Sequence, residues 1–344
     1  MQLATYRPLG RLLALLLALL LMPLAAAADQ LDDVRERGLL RCGVNGEIPG
    51  LSYRDDDGDW SGIDVDLCRA VAAAALGSAD KVELIPLTTA ERFDALRDGK
   101  IDLLARNTTW TQARDLTQGV SFAAILYYDG QGFMVPRSTN TLSALELGGA
   151  RICAIADTTS IDSAKRYFQR HQMPMELKQY PDLKAATKAY LEGKCTTLTT
   201  DRSQLYAVRA RLEQPESQRI LPEVISRDPL SPAVVKGETR MLDLVSWTLY
   251  TLINAEEMGI SSDNVVTAKA RAQTDAVRTL LDLDGESAEV FGIEPEWGYR
   301  VILAVGNYAE LFERNLGKAS GLNIKRGLNA LWSQGGLLYA PPPR

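Results

Sequence analysis

The sequence predicts an α/β protein with two lobes, each built on a mixed, mainly parallel sheet flanked by helices. Runs of strand length alternate with segments of helical period from residue 39 to about residue 134, and the same alternation resumes from residue 150. Such alternation favours parallel strand pairing. From residue 239 onward the periodic segments are all helical, and helices without new strands must pack on an existing sheet. We therefore expect the helical last third to complete the first lobe.

The N-terminus has the pattern of a secretory signal peptide. Arg7 and Arg11 precede an apolar run at 12–21, and a stretch of alanines follows. A membrane anchor is the alternative, but the apolar run is shorter than the roughly 20 residues that a bilayer core requires. We expect residues 1–28 to be removed near Ala28. Because no cysteine lies at the cut, we expect a periplasmic protein without a lipid anchor.

The charge balance argues against nucleic acid as a partner. The chain has 38 basic and 44 acidic residues, and loss of the two arginines in the signal peptide leaves 36 basic residues and a net charge of about −8. Binding of nucleic-acid phosphates requires a basic face. We also find no later segment that is long and apolar enough to span a membrane, so we expect an exported protein.

The first lobe begins with a short amphipathic segment and continues with alternating strands and helices. The stretch "YRDDDGDWSG" is rich in Asp and Gly and predicts a hairpin turn. The predicted elements are, in order, the strand "LLRCGVN", the helix "DVDLCRAVAAAAL", the strand "KVELIPL", the helix "AERFDALRDG" and the strand "IDLLAR".

The second lobe repeats this order after "QGFMVPRS", where we expect the chain to cross between the lobes. Its predicted strands "ARICAIA", "MELKQY" and "CTTLTT" alternate with the helices "SIDSAKRYFQRH", "DLKAATKAYLEG" and "SQLYAVRARLE". We place lobe 1 at 29–134 and 232–344, lobe 2 at 135–231, and a hinge near 132–138 and 226–234.

Four cysteines remain in the mature chain, an even number in an oxidising compartment. No C-x2-C pair occurs and His171 is the only histidine, so we expect no zinc site and no other metal centre. Three pairings are possible. Two cysteines are early and two lie mid-chain, which favours Cys42 with Cys68 and Cys153 with Cys195, one disulfide in each lobe. Four buried free thiols are the alternative.

The stretch "LLARNTTWTQARD" places small polar residues and an arginine after a strand. Asn107, Thr109 and Thr111 follow the apolar run, and Arg114 comes three residues later. Ligands collect at the carboxyl ends of parallel strands. An arginine and the amides of a following helix could together bind a carboxylate. The alternative is a surface loop in which Thr111 caps a helix and Arg114 is solvated.

Two strand ends in lobe 2 carry similar candidates. "TLTTDRS" contains Asp201, which could bind an ammonium group, and "DTTS" contains Thr158 and Thr159, which could face an anion. Each could instead only cap the helix that follows. A carboxylate site on one lobe and an ammonium site on the other would together hold a zwitterion.

These residues resemble the periplasmic amino-acid-binding proteins of ABC importers, in particular the general L-amino-acid-binding subgroup. The pattern D-x4-N-x-T-x-T-x2-R is present as Asp102, Asn107, Thr109, Thr111 and Arg114. The resemblance implies a type 2 periplasmic binding protein fold, an L-amino acid ligand, ABC permease membrane subunits as partners, a monomer and no cofactor. Similar stretches cover nearly the whole mature chain: "CGVNG", "NTTWT", "YYDGQGFMVP", "LPEVIS", "VSWTLY", "VGNYAELFERN" and "GLNALW".

The same resemblance implies a role for each site residue. Arg114, assisted by Thr109, should bind the α-carboxylate, and Thr159 should donate to it from lobe 2. The Asn107 carbonyl and the Asp201 carboxylate should bind the α-ammonium. The other positions expected in the pocket are Thr158, Thr89 and Glu47.

The chain departs from the subgroup in lobe 2. Ile155 and Ala156 stand where relatives have two amides, Asp157 where they have glycine, and Ile161 where they have an acid. If the glycine position needs a positive φ, aspartate tolerates it at some cost. We therefore expect lobe 1 to bind the groups that all amino acids share, and lobe 2 to have an altered specificity. Glu47 should favour a ligand with a cationic or hydrogen-bonding side chain.

Two other functions use the same fold. One is a dehydratase-like enzyme acting on a small carboxylate, for which Glu47 and Asp157 are the off-pattern acids and His171 lies far from the strand ends. The other is a ligand sensor for a membrane receptor, which would use the same binding chemistry. We expect a binding protein rather than an enzyme.

Overall fold

The computed structural model describes residues 29–344, and the expected signal peptide with its cleavage site lies outside the described residues. The fold is the two-lobed α/β fold that the sequence predicts. Within the described range, no helix combines the length and the apolarity needed to cross a membrane.

Fifteen strands are described. They are β1 (Leu40–Val44), β2 (Glu47–Ile48), β3 (Ser52–Arg54), β4 (Trp60–Ser61), β5 (Val82–Pro86), β6 (Leu103–Leu104), β7 (Val120–Phe122), β8 (Tyr127–Asp129), β9 (Gln131–Pro136), β10 (Ala150–Ile155), β11 (Met175–Tyr180), β12 (Thr197–Asp201), β13 (Gln218–Ile220), β14 (Asp228–Leu230) and β15 (Ala233–Val235).

The helices of the first lobe and its crossover are α1 (Gln30–Arg37), α2 (Ile63–Leu76), α3 (Arg92–Arg97) and α4 (Gln112–Thr117). The second lobe contributes α5 (Thr159–Arg170), α6 (Leu183–Leu191) and α7 (Arg202–Ala210). The last third contributes α8 (Thr239–Glu257), α9 (Val265–Ala270), α10 (Asp275–Leu281), α11 (Glu286–Phe291), α12 (Trp297–Val305) and α13 (Tyr308–Asn315).

The sheet of lobe 1 has the strand order β5-β1-β6-β15-β7. β1 lies parallel to both β5 and β6, whereas β15 runs antiparallel to β6 and β7. The predicted strand 101–106 is reduced to the two residues of β6, because the chain leaves the ladder early and enters the turn that follows. A short antiparallel sheet of β2, β3 and β4 contains the predicted hairpin.

The sheet of lobe 2 has the order β11-β10-β12-β9-β13. β10 lies parallel to β11 and β12, and β9 runs antiparallel to β12 and β13. Three parallel strands therefore form one side of each sheet, from the edge strand to the middle one, in agreement with the alternating sequence pattern.

The chain joins the sheet of lobe 2 at β9, which overlaps the segment expected as the first hinge. β9 (131–136) pairs within the sheet of lobe 2, so most of the segment expected as the first hinge, 132–138, belongs to that lobe. β8 and β14 pair with each other in a separate two-stranded antiparallel sheet. These strands connect the lobes, and the second expected hinge segment, 226–234, contains β14.

The last third packs on lobe 1. Tyr308 is fully buried and its hydroxyl donates to the Leu126 carbonyl oxygen at 2.8 Å. Asn315 donates to the buried Asp66 carboxylate of α2 at 2.6 Å. Trp297, at the start of α12, also joins the core that α2 and β1 form. The apolar faces of these helices thus pack on lobe 1 and complete its core, without adding strands to its sheet.

Each lobe contains one disulfide. Cys42 of β1 is bonded to Cys68 of α2, and Cys153 of β10 is bonded to Cys195 just before β12. These are the pairs that the sequence favoured. Each bond joins two segments within one lobe, and neither bond links the two lobes.

Candidate functional site

A cavity of about 710 Å³ lies between the lobes. It is lined by the segments that follow the carboxyl ends of parallel strands in both sheets, where an open α/β fold collects ligands. The structure brings together there all eight residues that we expected to bind ligand: Glu47, Thr89, Asn107, Thr109, Arg114, Thr158, Thr159 and Asp201.

The turn after β6 is held by a buried carboxylate. Asn107 has a φ of 37°, and its backbone N–H donates to Asp64 Oδ2 at 3.0 Å. Asp64 lies in the first turn of α2, which starts after Gly62. Gly62 has a φ of 126°, and a Cβ there would lie 2.1 Å from the Leu51 carbonyl oxygen. Only glycine therefore allows α2 to start this close to the backbone of Leu51. Burial raises the pKa of Asp64 to about 7.

Asn107 also presents an unused acceptor. Its Oδ1 is buried without a hydrogen-bond partner among residues 29–344, and the residue lines the cavity. A buried amide oxygen without a donor is costly, so a ligand donor there would lower the free energy of the bound state.

Arg114 is partly buried and points along the turn. Its Nη1 donates to the Thr109 carbonyl oxygen at 2.8 Å, and its guanidinium carbon lies 5.9 Å from the centroid of the Phe93 ring. Burial lowers the pKa of Arg114, whereas Asp201 and Asp228 raise it. Thr111 caps α4, since its hydroxyl oxygen accepts from the Arg114 backbone N–H at 3.2 Å, as the alternative interpretation had it, but Arg114 itself is partly buried rather than fully solvated.

Asp201 does not cap a helix. It stands at the N-terminus of α7 without a side-chain capping bond, and Gln204 Nε2 donates to its Oδ2 at 3.0 Å. The side chain is 6% exposed. Burial and the nearby carboxylates of Asp228 and Asp129 raise the pKa of Asp201, and burial raises that of Asp129 to about 6. The interlobe region therefore contains a carboxylate whose charge a ligand cation would stabilise.

The turn before α5 lines the cavity from the lobe 2 side. Thr158 precedes the helix without a capping bond to it, and its hydroxyl donates instead to the Ile155 carbonyl oxygen at 2.7 Å. Asp157 has a φ of 56° and is exposed, as expected for an aspartate that replaces glycine. The first N–H groups of this 12-residue helix thus remain available to an anion at Thr159.

The two remaining expected residues lie at the cavity wall. Glu47 is exposed at the start of β2, so water screens its charge. Thr89 is partly buried, and its hydroxyl oxygen accepts a bond from Arg106 Nη2 at 3.3 Å.

The cavity residues that we did not single out from the sequence include Arg92, Arg106 and Gln204. Arg106 directly precedes the turn at Asn107, so its position after a strand could have identified it as a cavity residue. Arg92 lies in a different helix, α3, and nothing in its local sequence distinguishes it from a surface cation. Gln204 lies one helical turn after Asp201, at the start of α7, and this spacing brings its side chain to the Asp201 carboxylate.

Comparison with known proteins agrees with this geometry. Residues 40–264 match the family of bacterial extracellular solute-binding proteins, family 3. The chain is 46% identical over 321 residues to the general L-amino acid-binding periplasmic protein AapJ of Rhizobium johnstonii, covering 93% of this chain and 94% of that protein. It is 43% identical over 320 residues to the glutamate/glutamine/aspartate/asparagine-binding protein BztA of Rhodobacter capsulatus, covering 93% and 95%.

A solved structure shares the fold over nearly the whole chain. It is an ABC transporter periplasmic binding protein from Brucella ovis with glutathione bound, with a TM-score of 0.89 and 45% identity. The match covers 92% of this chain and 100% of that one. Together with the interlobe cavity at the strand ends, these similarities show that the chain belongs to family 3 of the bacterial extracellular solute-binding proteins.

Proposed function

We propose that the protein captures an L-amino acid between its two lobes and presents it to the membrane subunits of an ABC importer. The observation that carries this proposal is the placement of Arg114 and Asp201 on different lobes, facing one cavity. A guanidinium and a carboxylate arranged in this way complement the two charges that every α-amino acid carries.

Each lobe has a defined part in this proposal. Arg114, held by the Thr109 carbonyl, binds the α-carboxylate, and the N-terminus of α5 at Thr159 donates to the same group. Asp201 and the oxygens of Asn107 bind the α-ammonium. The names of the relatives support this assignment, since AapJ and BztA are both amino-acid-binding proteins.

Binding would proceed by closure of the lobes about the β8–β14 ladder. Ligand first contacts the turn of lobe 1, and lobe 2 then brings its groups onto it. The closed form of a periplasmic monomer is the species that a permease would recognise. We propose binding without turnover, because His171 is exposed at the end of α5 opposite to the cavity.

The direct test is isothermal titration of the mature protein, unfolded and refolded to remove ligand, against the twenty L-amino acids and their D-enantiomers. We expect micromolar or tighter binding of at least one L-amino acid and recovery of the intact ligand afterwards. Release of a converted product would support a dehydratase-like enzyme instead, and failure of every amino acid to bind would contradict the proposal.

Affinity should depend on pH. In the ligand-free protein the pKa of Asp201 is raised, and that of Asp129 is about 6, so the site takes up protons as the pH falls. The α-ammonium needs the charged carboxylate, so affinity is full above the ligand-free pKa of Asp201 and decreases as the pH falls through and below that raised pKa. Titration at pH 8, 7, 6 and 5 should show a loss of up to about tenfold per pH unit at the acid end. A constant affinity would contradict a protonating site.

A further inference from the structure

A second cavity, of about 620 Å³, lies in the helical last third of the chain and shares no lining residue with the cavity between the lobes. Residues of α8, α10, α11 and the start of α12 surround it, together with the segment 342–344. We call it the C-terminal cavity. Its volume lies within the roughly 300–1,000 Å³ of small-molecule sites.

The wall of the C-terminal cavity is rich in acids. Five acidic residues and two arginines line it. The acids are Asp243, Asp275, Asp282, Asp284 and Glu286. Arg278 is paired with Asp284, so among the described lining residues Arg344 is the one cation left for the other four acids. The wall therefore favours a positively charged occupant.

One of these acids, Asp282, is buried, with only 4% of its surface exposed. Its Oδ1 accepts from the backbone N–H of Ser287 at 3.1 Å and from the Ser287 hydroxyl at 2.6 Å. Its Oδ2 is buried without a hydrogen-bond partner among residues 29–344. Both donors to Asp282 are neutral, and a buried carboxylate without a cationic partner is costly. A positive group bound in the cavity would supply that partner.

Arg300 does not supply it. Burial lowers the pKa of Arg300, and the charge of Asp282 is the weakest of three acidic charges that raise it. The two Nη atoms of Arg300 donate instead to the carbonyl oxygens of Pro295 and Glu294. The attraction between Asp282 and Arg300 therefore acts over a distance and leaves Oδ2 without a donor.

The backbone around Asp282 shows what its side chain does for the fold. The residue follows the end of α10 with a φ of 54°, where glycine has the lowest strain. Its Oδ1 holds Ser287 in the first turn of α11, and the Trp297 indole N–H donates to the same Ser287 hydroxyl at 2.8 Å. This network accounts for Oδ1 alone. The structural role of Asp282 thus leaves its second oxygen for a ligand.

Aromatic side chains form another part of the wall. Phe291 and Trp297 pack edge to face, with ring centroids 6.2 Å apart. Trp247 of α8 also lines the cavity and is 37% exposed. An exposed indole ring beside carboxylates can contact the apolar body of a ligand and can attract its positive charge to the ring face. Rings and acids in this combination suit an organic ammonium group.

We propose that the C-terminal cavity binds a small organic cation, an alkylammonium whose charged end pairs with Asp282 and whose carbon chain lies against Trp247. This inference goes beyond the proposed function, because such a ligand needs no α-carboxylate and its site contains neither Arg114 nor Asp201. The protein then has two ligand sites, one for a zwitterion between the lobes and one for a cation among the C-terminal helices.

A matched pair of ligands tests the site in the intact mature protein. We would titrate n-pentylamine against n-pentanol by calorimetry, because the two molecules share their shape and differ in one positive charge. Neither has the carboxylate that Arg114 would bind. We expect the amine to bind about tenfold or more tightly than the alcohol, consistent with a charge-assisted bond. Saturation of the interlobe cavity with an L-amino acid should leave this difference unchanged.

Two acid-to-amide variants locate the effect. Asp282→Asn keeps the shape and an acceptor for Ser287 but removes the charge, so it should lose most of the preference for the amine. Glu289→Gln is the matched control, because it removes the same charge from an exposed residue of α11 outside the cavity wall. The control should keep the affinity for the amine within about twofold, since water and salt screen an exposed charge.

Trp247→Leu tests the site without disturbing the buried network at Asp282. Trp247 is exposed, so the variant keeps the test decisive even if Asp282→Asn fails to fold. The affinity for n-pentylamine should decrease about threefold or more with loss of the indole face, and that for n-pentanol should decrease less. An unchanged affinity for the amine would overturn the placement of the ligand in this cavity.

Three further results would overturn the site. The first is equal binding of the amine and the alcohol by the wild-type protein. The second is equal weakening by Asp282→Asn and Glu289→Gln, which would show unspecific attraction to an acidic protein. The third is competition between n-pentylamine and an L-amino acid, which would place the amine between the lobes. Failure of every amino acid to bind would contradict the proposed function alone, because the comparison of amine with alcohol does not depend on it.

Discussion

Arg114→Ala should lower the affinity for the amino-acid ligand by at least about 100-fold. The variant removes one partner of a partly buried, hydrogen-bonded ion pair with the α-carboxylate, and such truncations cost roughly 2–5 kcal/mol. Part of the loss arises because the carboxylate is then desolvated without a full partner. Isothermal titration of the tightest-binding amino acid measures the change.

Two variants serve as controls for Arg114. Arg114→Lys keeps the charge but loses the bidentate fork and the contact to the Thr109 carbonyl, so we expect a loss of about tenfold. Arg137→Ala removes an exposed cation outside the cavity and should leave affinity within about twofold. If Arg114→Ala binds as tightly as the Arg137 control, the carboxylate is held elsewhere.

Asp201→Asn should weaken binding by about 30-fold or more and remove most of the pH dependence. Asparagine has the same shape and can still accept the bond from Gln204, so the change isolates the negative charge. The ligand ammonium then enters a buried site without its charged partner, which is the costly arrangement. Titration between pH 5 and pH 8 should show a nearly flat affinity in the variant.

The same substitution should stabilise the ligand-free protein. Burial and two neighbouring carboxylates disfavour the charge of Asp201 at neutral pH, and asparagine removes that repulsion. Thermal unfolding at pH 7.5 without ligand should therefore occur at a higher temperature in Asp201→Asn than in the wild type. Glu47→Gln, which changes an exposed acid of the same cavity, should alter neither stability nor affinity by a comparable amount. A destabilised Asp201→Asn protein would indicate a structural carboxylate.

Local sequence patterns predicted most of the architecture. Apolar strand segments alternate with segments of helical period, and this alternation predicted the parallel pairing in both sheets. Each parallel strand must be buried on both faces by the helices beside it. The pair Cys42 and Cys68 and the pair Cys153 and Cys195 follow the same division of the chain. The strand ends that line the cavity could be predicted too, since strand and helix boundaries are set by nearby residues.

The position of the crossing between the lobes was not predictable in the same way. "QGFMVPRS" has the composition of a strand before a loop, and the sequence does not say to which sheet that strand belongs. The structure pairs β9 with β12 and β13, and assigns the connection to β8 and β14. Strand pairing between distant segments depends on tertiary contacts that no local window contains.

The sequence by itself determined the two-lobed α/β class and placed Asp201 and the turn before Arg114 after strands, because periodicity and capping are local properties of the chain. The tertiary structure alone decided the surroundings of those residues. It showed that Asp201 is a buried acceptor rather than a helix cap, and it placed the guanidinium groups of Arg92 and Arg114 each within 6 Å of the Phe93 ring centroid. Burial and charge pairing are sums over residues distant in the chain, so these surroundings emerge only when the fold brings those residues together.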